Sequence, residues 1–366
     1  MTAAVVVLSC GVLTGCGGRS SAEPPSSPVS LLPSASASRS SSSAATGGPV
    51  AVLPATGATP AAWSRVDRQA SSVAPHVAVV AAKMTASGQL QIVHQSGPTD
   101  ARPLASMVKL YVLIAVAQAV QSGTLRWDQR LTLQSTDKAA GSGALIGAAS
   151  GSTVTVQQAA TLMIQISDNT ATDLLIRAVG QSALAKAVAS TGSSNAAKLV
   201  PFTTIRQDIW LEWSTSAAAV QARARWAGAS TQTRMSLMAP ATAPGSPVPD
   251  ATGAGTTARW QDGLGYFASA LDIAKAQVVL ARLVRQKGLE PLQSILDVTR
   301  TGITTPTSWR QVSFKGGTVM GVQTGSWYAR TTSGDEVLVV MASSPGGVNT
   351  ASFNALASKA AAALAG

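Results

Sequence analysis

Residues 104–121 read Leu104-Ala105-Ser106-Met107-Val108-Lys109-Leu110-Tyr111-Val112-Leu113-Ile114-Ala115-Val116-Ala117-Gln118-Ala119-Val120-Gln121. From Met107 onward this is a helical run that Gly123 closes, and its apolar residues (Leu110, Val112, Leu113, Ile114, Val116) fall on every side. A helix that is apolar all round is buried all round. Lys109 is the only charge between Arg102 and Arg126, so it is carried into that buried environment. Ser106 and Lys109 stand at i and i+3, on one helix face, where the amine reaches the hydroxyl. Desolvation lowers a lysine pKa toward neutrality, the condition under which an amine acts as a base. The helix N-terminus adds partial positive charge and free N–H groups near Ser106. Ser106 is therefore a candidate nucleophile and Lys109 a candidate base.

Working outward, residues 76–84 and 90–94 predict two strands joined by the turn Ala86-Ser87-Gly88. Residues 154–168 and 171–178 predict two more helices, and residues 271–285 return to helical periodicity. Residues 312–318, 322–330 and 336–341 alternate as strands, and a last helix is expected over residues 351–364. Strands from both chain ends then pair into one antiparallel sheet with flanking helices, and the helical block forms a second subdomain: an α+β fold. Residues 214–259, which include the Pro-rich run 239–249, are expected to form an irregular insertion, centred on about residues 225–258.

The Ser-x-x-Lys tetrad alone is weak evidence. A second copy, Ser135-Thr136-Asp137-Lys138, has no buried helix behind it, and an isolated match reads equally as an N-cap serine with a surface lysine. The chain has two histidines, His76 and His94, both in the early strands, which argues against a Ser-His-Asp triad and a His-rich metal site. Two further segments bear on the question. Ser167-Asp168-Asn169 ends an apolar helix, and Lys315-Gly316-Gly317-Thr318 lies on a strand. Taken one at a time, the first reads as a helix cap and the second as an edge-strand charge beside a bulge. Asp173 and Arg177 read as an i, i+4 helix pair, and Trp210, Trp213 and Trp327 as core.

In this order and context, the three segments resemble the S-x-x-K, S-D-N and K-T-G signatures of class A β-lactamases and penicillin-binding proteins. The resemblance covers about residues 70–366 and implies a serine β-lactamase-like fold and a serine hydrolase. It implies that Ser106 attacks an acyl carbonyl while Lys109 takes its proton, and that Ser167 passes a proton to the leaving amine. Asn169 would hold the substrate amide and Lys109, and Lys315 would supply positive charge to Ser167 and to a substrate carboxylate. The strand residues Gly317 and Thr318 would border the substrate, the N–H groups of Ser106 and Thr318 forming the oxyanion hole. The resemblance calls for no cofactor and no metal. The substrate implied is a β-lactam or a related amide or ester, including peptidoglycan-like amides.

Two departures stand out. Gly316 lacks the hydroxyl that usually follows the lysine. The glutamate that class A enzymes use to deacylate is missing from residues 199–208, and the whole chain holds four glutamates, Glu23, Glu212, Glu290 and Glu336. Asp208 and Glu212 are the nearest carboxylates but come several residues late. Acylation is expected to be retained and deacylation to be slow or to use another route. An acyl-trapped penicillin-binding protein and a non-catalytic envelope lipoprotein are the competing readings.

At the N-terminus, residues 1–16 resemble an export signal with a lipobox, Leu13-Thr14-Gly15-Cys16, whose Cys16 would be lipidated; Cys10 is the poorer candidate, and the usual positive n-region is missing. Both cysteines of the chain lie there, so the domain itself carries no disulfide and no thiolate. Residues 17–60 are rich in Ser, Pro and Ala and read as a flexible tether between the lipid and a domain over residues 61–366. No apolar run reaches the roughly 18–20 residues of a spanning helix. The expectation is an exported monomer, lipid-anchored to the outer face of the cell membrane. Net charge is +11, which suits anionic head groups or wall polymers and also follows from Arg-rich usage in a high-GC genome. No basic helix interleaved with aromatics points to nucleic acid.

Overall fold

The computed structural model describes residues 48–366 apart from 58, 59, 252, 254, 255, 299 and 300. The expected signal, Cys16 and most of the tether lie outside the described residues. The elements run β1 (Val52–Leu53), α1 (Ala61–Val73), β2 (His76–Met84), β3 (Leu90–Ser96), β4 (Arg102–Pro103), α2 (Lys109–Gln121), β5 (Arg130–Thr132) and β6 (Thr153–Thr155). They continue α3 (Val156–Gln165), α4 (Asn169–Ser190), α5 (Ile205–Trp213), α6 (Ala217–Ala224), α7 (Thr231–Met238), β7 (Phe267–Ala268), α8 (Ala270–Leu283) and α9 (Pro291–Leu296). The chain closes with β8 (Gln311–Val319), β9 (Val322–Thr331), β10 (Gly334–Ser343) and α10 (Thr350–Ala365).

The main sheet has the order β1-β3-β2-β10-β9-β8. Only β1 pairs in parallel; the other neighbours are antiparallel, and β2 from one end of the domain lies against β10 from the other. The expected α+β architecture is thus the one observed. Strand β2 shows why its sequence is a near-continuous apolar run. Ala78, Val80 and Ala82 pack into the large core with α2, α4 and α8, while Val79 and Ala81 face Trp63 and Val66 of α1 and Phe353, Leu356 and Ala360 of α10. A strand covered on both faces has no polar side to show.

Helix α2 is the centre of the helical side: Lys109 through Ala117 are completely buried. Helix α4 keeps regular geometry to Gly180, where φ is +78°, and a second helical segment follows to Ser190, further than the sequence pattern suggested.

Three expectations are corrected. Residues 48–57, inside the expected tether, are ordered by the fold: Val50 is buried and β1 adds a strand beside β3. Residues 214–259 are not an irregular insertion, because they include α6 and α7 and share with α5 a small core of Trp210, Leu211, Ala219, Ala222, Trp226 and Met238. Asp173 and Arg177 do not pair with each other. Arg177 reaches the buried Asp137 (Nε to Oδ1, 2.7 Å), and Asp173 accepts the N–H groups of Ile205 (2.6 Å) and Arg206 (2.8 Å) at the start of α5. The helical spacing allowed the pair, but each residue has a better partner across the fold. Among the described residues no helix is long and apolar enough to cross a membrane, and no cluster of three or more His, Cys, Asp or Glu could hold a metal.

Candidate active site

A short 3-10 turn, Ala105–Val108, delivers Ser106 to the start of α2, and Ala105 sits in the left-handed region at φ +46°. Ser167, between α3 and α4, is also left-handed, at φ +58°. Such non-glycine residues cost on the order of 1 kcal/mol each and persist where the surroundings over-determine them. Around Ser167 the surroundings do so through Asp168. Its buried carboxylate caps α4 at Ala171 N (2.8 Å) and accepts from Ala144 N (2.7 Å) and Leu145 N (2.9 Å). Gly143 is required there, since a Cβ on it would lie 2.3 Å from the Asp168 carboxyl carbon. The cap reading of this segment therefore holds for Asp168, while its two neighbours turn toward Lys109.

Lys109 Nζ donates to the carbonyl oxygens Ser167 O (2.6 Å) and Asn169 Oδ1 (2.7 Å) and lies within hydrogen-bond distance of the hydroxyls Ser167 Oγ (3.0 Å) and Ser106 Oγ (3.3 Å). Asn169 is itself fixed by donating to Ala140 O (2.7 Å). From β8, Lys315 Nζ donates to Ser167 Oγ (3.0 Å) and to Gly316 O (2.7 Å). Ser106, Lys109, Ser167, Asn169 and Lys315, named from three separated segments, thus form one constellation. The second tetrad does not join it: Lys138 donates to the Ile146 and Ala148 carbonyls.

Electrostatics follow from burial. Lys109 is held well below its usual 10.5, first by desolvation and then by the charge of Lys315, against the pull of Asp173 and Asp168. Desolvation brings Lys315 from 10.5 to about 7. The unfolded chain keeps that proton to about pH 10.5 and the folded chain releases it near 7, so between those values the unfolded state binds more protons. Stability from this group therefore rises with pH across that window. Melting wild type and Lys315→Met between pH 7 and 9.5 is expected to show a smaller rise in Tm with pH in the variant; equal slopes would contradict it.

On the strand, a Cβ at Gly317 would lie 2.6 Å from both Ser106 N and Leu104 O and 2.8 Å from Thr324 Oγ1. The backbone of β8 can press against the nucleophile's amide only with glycine at that position. Gly317→Ala is expected to slow acylation of Ser106 by about 10- to 100-fold, the cost of misplacing reacting groups, and to cost about 1–3 kcal/mol of stability through the same backbone clash; acylation rates beside a melting curve check both. The missing hydroxyl at Gly316 also has a cause: a Cβ there would meet the Phe314 ring at 2.8 Å, and that ring stacks on Trp327 with centroids 5.2 Å apart. Thr318, two residues on, carries the next hydroxyl of the strand, and its Oγ1 donates to Gln323 Oε1 (3.1 Å).

A cavity of about 290 Å³ opens on Ser106, Asn169 and Thr318. Its far wall is α5, which presents Ile205, Asp208, Ile209 and Glu212 at i, i+3, i+4 and i+7. Burial pushes Asp208 up to about 7, and burial followed by the charge of Asp208 raises Glu212 well above 4.5. In the sequence both carboxylates come several residues late for the glutamate of class A enzymes. The capping box at Thr204 and Gln207 was the signal that a helix starts there and turns both to one side.

The sequence profile described as "Beta-lactamase enzyme family" matches residues 65–259. The chain belongs to that family. Among solved structures, a beta-lactamase from Sphaerobacter thermophilus is 20% identical, with a TM-score of 0.56 over 83% of this chain and 98% of that one. A PBP-A mutant, solved as an acyl-enzyme complex with penicillin G, is 16% identical, with a TM-score of 0.57 over 87% and 98%. A beta-lactamase from Francisella tularensis is 13% identical, with a TM-score of 0.56 over 82% and 98%. At these identities the likeness speaks for the beta-lactamase fold. No curated protein matches the chain significantly.

Proposed function

We propose that this beta-lactamase family member is a serine acyl hydrolase that forms a covalent acyl-enzyme on Ser106. Neutral Lys109 accepts the Ser106 proton as Oγ attacks the carbonyl of a β-lactam or a related amide or ester. Ser167 Oγ, polarised by Lys315, passes its proton to the leaving nitrogen and regains one from Lys109, which returns to the neutral amine, while Asn169 orients the substrate amide. The Ser106 and Thr318 N–H groups, beside Gly317, receive the developing oxyanion. The observation that carries this reading is one buried amine within hydrogen-bond reach of both Ser106 Oγ and Ser167 Oγ. Intact mass after incubation with benzylpenicillin, followed by peptide mapping, tests it. An adduct on Ser106 that Ser106→Ala does not form supports the proposal, and an adduct elsewhere or none defeats it.

A second reading is an acyl-trapped penicillin-binding protein. It is favoured by the donors on Lys109 and Ser106, which involve no carboxylate, and by the apolar Ile205 on the cavity wall. A persistent adduct without nitrocefin turnover supports that reading. We also propose export and lipid anchoring through Cys16, on the sequence alone. Palmitate labelling lost in Cys16→Ala checks it.

A further inference from the structure

Glu212 is 5% exposed and lines the cavity that opens on Ser106, as does Asp208 one turn earlier on α5. Neither carboxylate has a hydrogen-bonded or ion-paired partner among the described residues. A buried carboxylate left alone is costly, and two facing one cavity are costlier. The neighbouring donors make no hydrogen bond to them. Tyr266 Oη donates to Thr203 O (3.0 Å), Trp213 Nε1 to Thr257 O (3.2 Å), and Arg259 Nη1 to Asp262 Oδ2 (3.3 Å). Gly265, at φ +89°, leaves room at the same wall: a Cβ there would stand 2.8 Å from Glu212 Oε1. One end of the cavity thus offers the Ser106 nucleophile, and the other offers two carboxylates that no cation pairs directly, the charge of Arg259 acting on Glu212 without a hydrogen bond or ion pair between them.

We infer that Asp208 and Glu212 form a subsite for a primary ammonium group carried by the acyl substrate. An ammonium has three donors on one nitrogen and can bridge two carboxylates, keeping both ionised while they remain out of water. The inference deepens the reading of Ser106 as nucleophile, and rests on it, by naming the substrate class: amine-bearing acyl compounds.

The test is a binding measurement that needs no turnover. Calorimetry on the Ser106→Ala chain compares Nα-acetyl-L-lysyl-D-alanyl-D-alanine with its Nε-acetylated form. The free amine is expected to bind about tenfold tighter. That ratio is expected to fall to near one in Asp208→Asn and in Glu212→Gln, each read within one protein so that partial loss of folding cancels. Equal affinities, no binding of the free amine, or a ratio that survives both substitutions overturns the subsite. So does an Asp208→Asn chain that keeps the ratio but lengthens the life of the penicillin adduct, which makes the pair a hydrolytic device. If wild type forms the Ser106 adduct and the ratio is one, only the subsite falls. If the ratio stands without an adduct, the subsite is upheld and the hydrolase reading falls.

Discussion

Lys109→Met is expected to slow acylation of Ser106 by about 10³–10⁴-fold, the upper range for loss of a positioned general base. A methionine fills the lysine's volume inside α2, so packing is kept and the amine alone is lost. The amine has two tasks at once: it holds Ser106 Oγ and Ser167 Oγ on one nitrogen, and it is neutral enough to take a proton. The pH profile separates them. Acylation must rise as Lys109 loses its proton, well below 10.5, and must fall as Lys315 loses the charge that polarises Ser167, at about 7. Because the two lysines repel each other, the limbs of the bell belong to the pair rather than to either residue. Stopped-flow acylation with a chromogenic cephalosporin from pH 5 to 9.5 checks both limbs. In Lys315→Met the alkaline limb is expected to vanish and the acid limb to move to higher pH, since Lys315 no longer repels the Lys109 proton. A Lys109→Met chain that acylates within tenfold of wild type would remove the base from Lys109.

How far the sequence reached depends on how local each determinant is. Lys109 was legible because a lone charge inside an all-round apolar helix has few physical explanations, and the helix that buries it is written in consecutive residues. Lys315, 4% exposed, was less legible, since an edge-strand lysine is usually solvated; only Ser167, far away in the chain, shows why it is buried. That strands from both chain ends share one sheet was readable from their apolar patterns, whereas the strand order and the parallel edge strand β1 were not. Helix α1 was not, because its buried Trp63, Val66 and Ala70 sit among Arg65, Asp67 and Arg68, and its partner is α10 at the other end of the chain. The far wall of the site is not legible in the sequence for a similar reason. Distance along the chain from Asn169 does not show where Asp208 and Glu212 point, whereas the turn of α5 decides which cavity they line.

The same helix explains why an Ala-, Ser- and Pro-rich stretch is ordered, and Arg206→Met is expected to destabilise the domain by about 4 kcal/mol, or roughly 10 °C in Tm. Arg206 is fully buried, and its guanidinium gathers carbonyls from two separate loops. Nε donates to Ala241 O (2.6 Å), Nη1 to Lys138 O (2.8 Å), and Nη2 to Ser246 O (2.8 Å), Ser246 Oγ (3.0 Å) and Pro247 O (2.7 Å). Removing the fork strands several acceptors without water, and each charged hydrogen bond carries about 1.5–3 kcal/mol. The value stays below their sum because a buried cation has its own desolvation cost, met only in part by Asp173 nearby. Lysine is not expected to rescue, since one ammonium cannot span the planar spread of acceptors. The loss should also be uneven. Residues 239–250 have few apolar anchors of their own, Ala241 and Met238 being buried at their start, so limited proteolysis of Arg206→Met is expected to cut there first while the sheet stays protected. A variant that melts within 1 kcal/mol of wild type, or that is cut elsewhere first, would show that the loop is held by its small apolar core and not by the arginine.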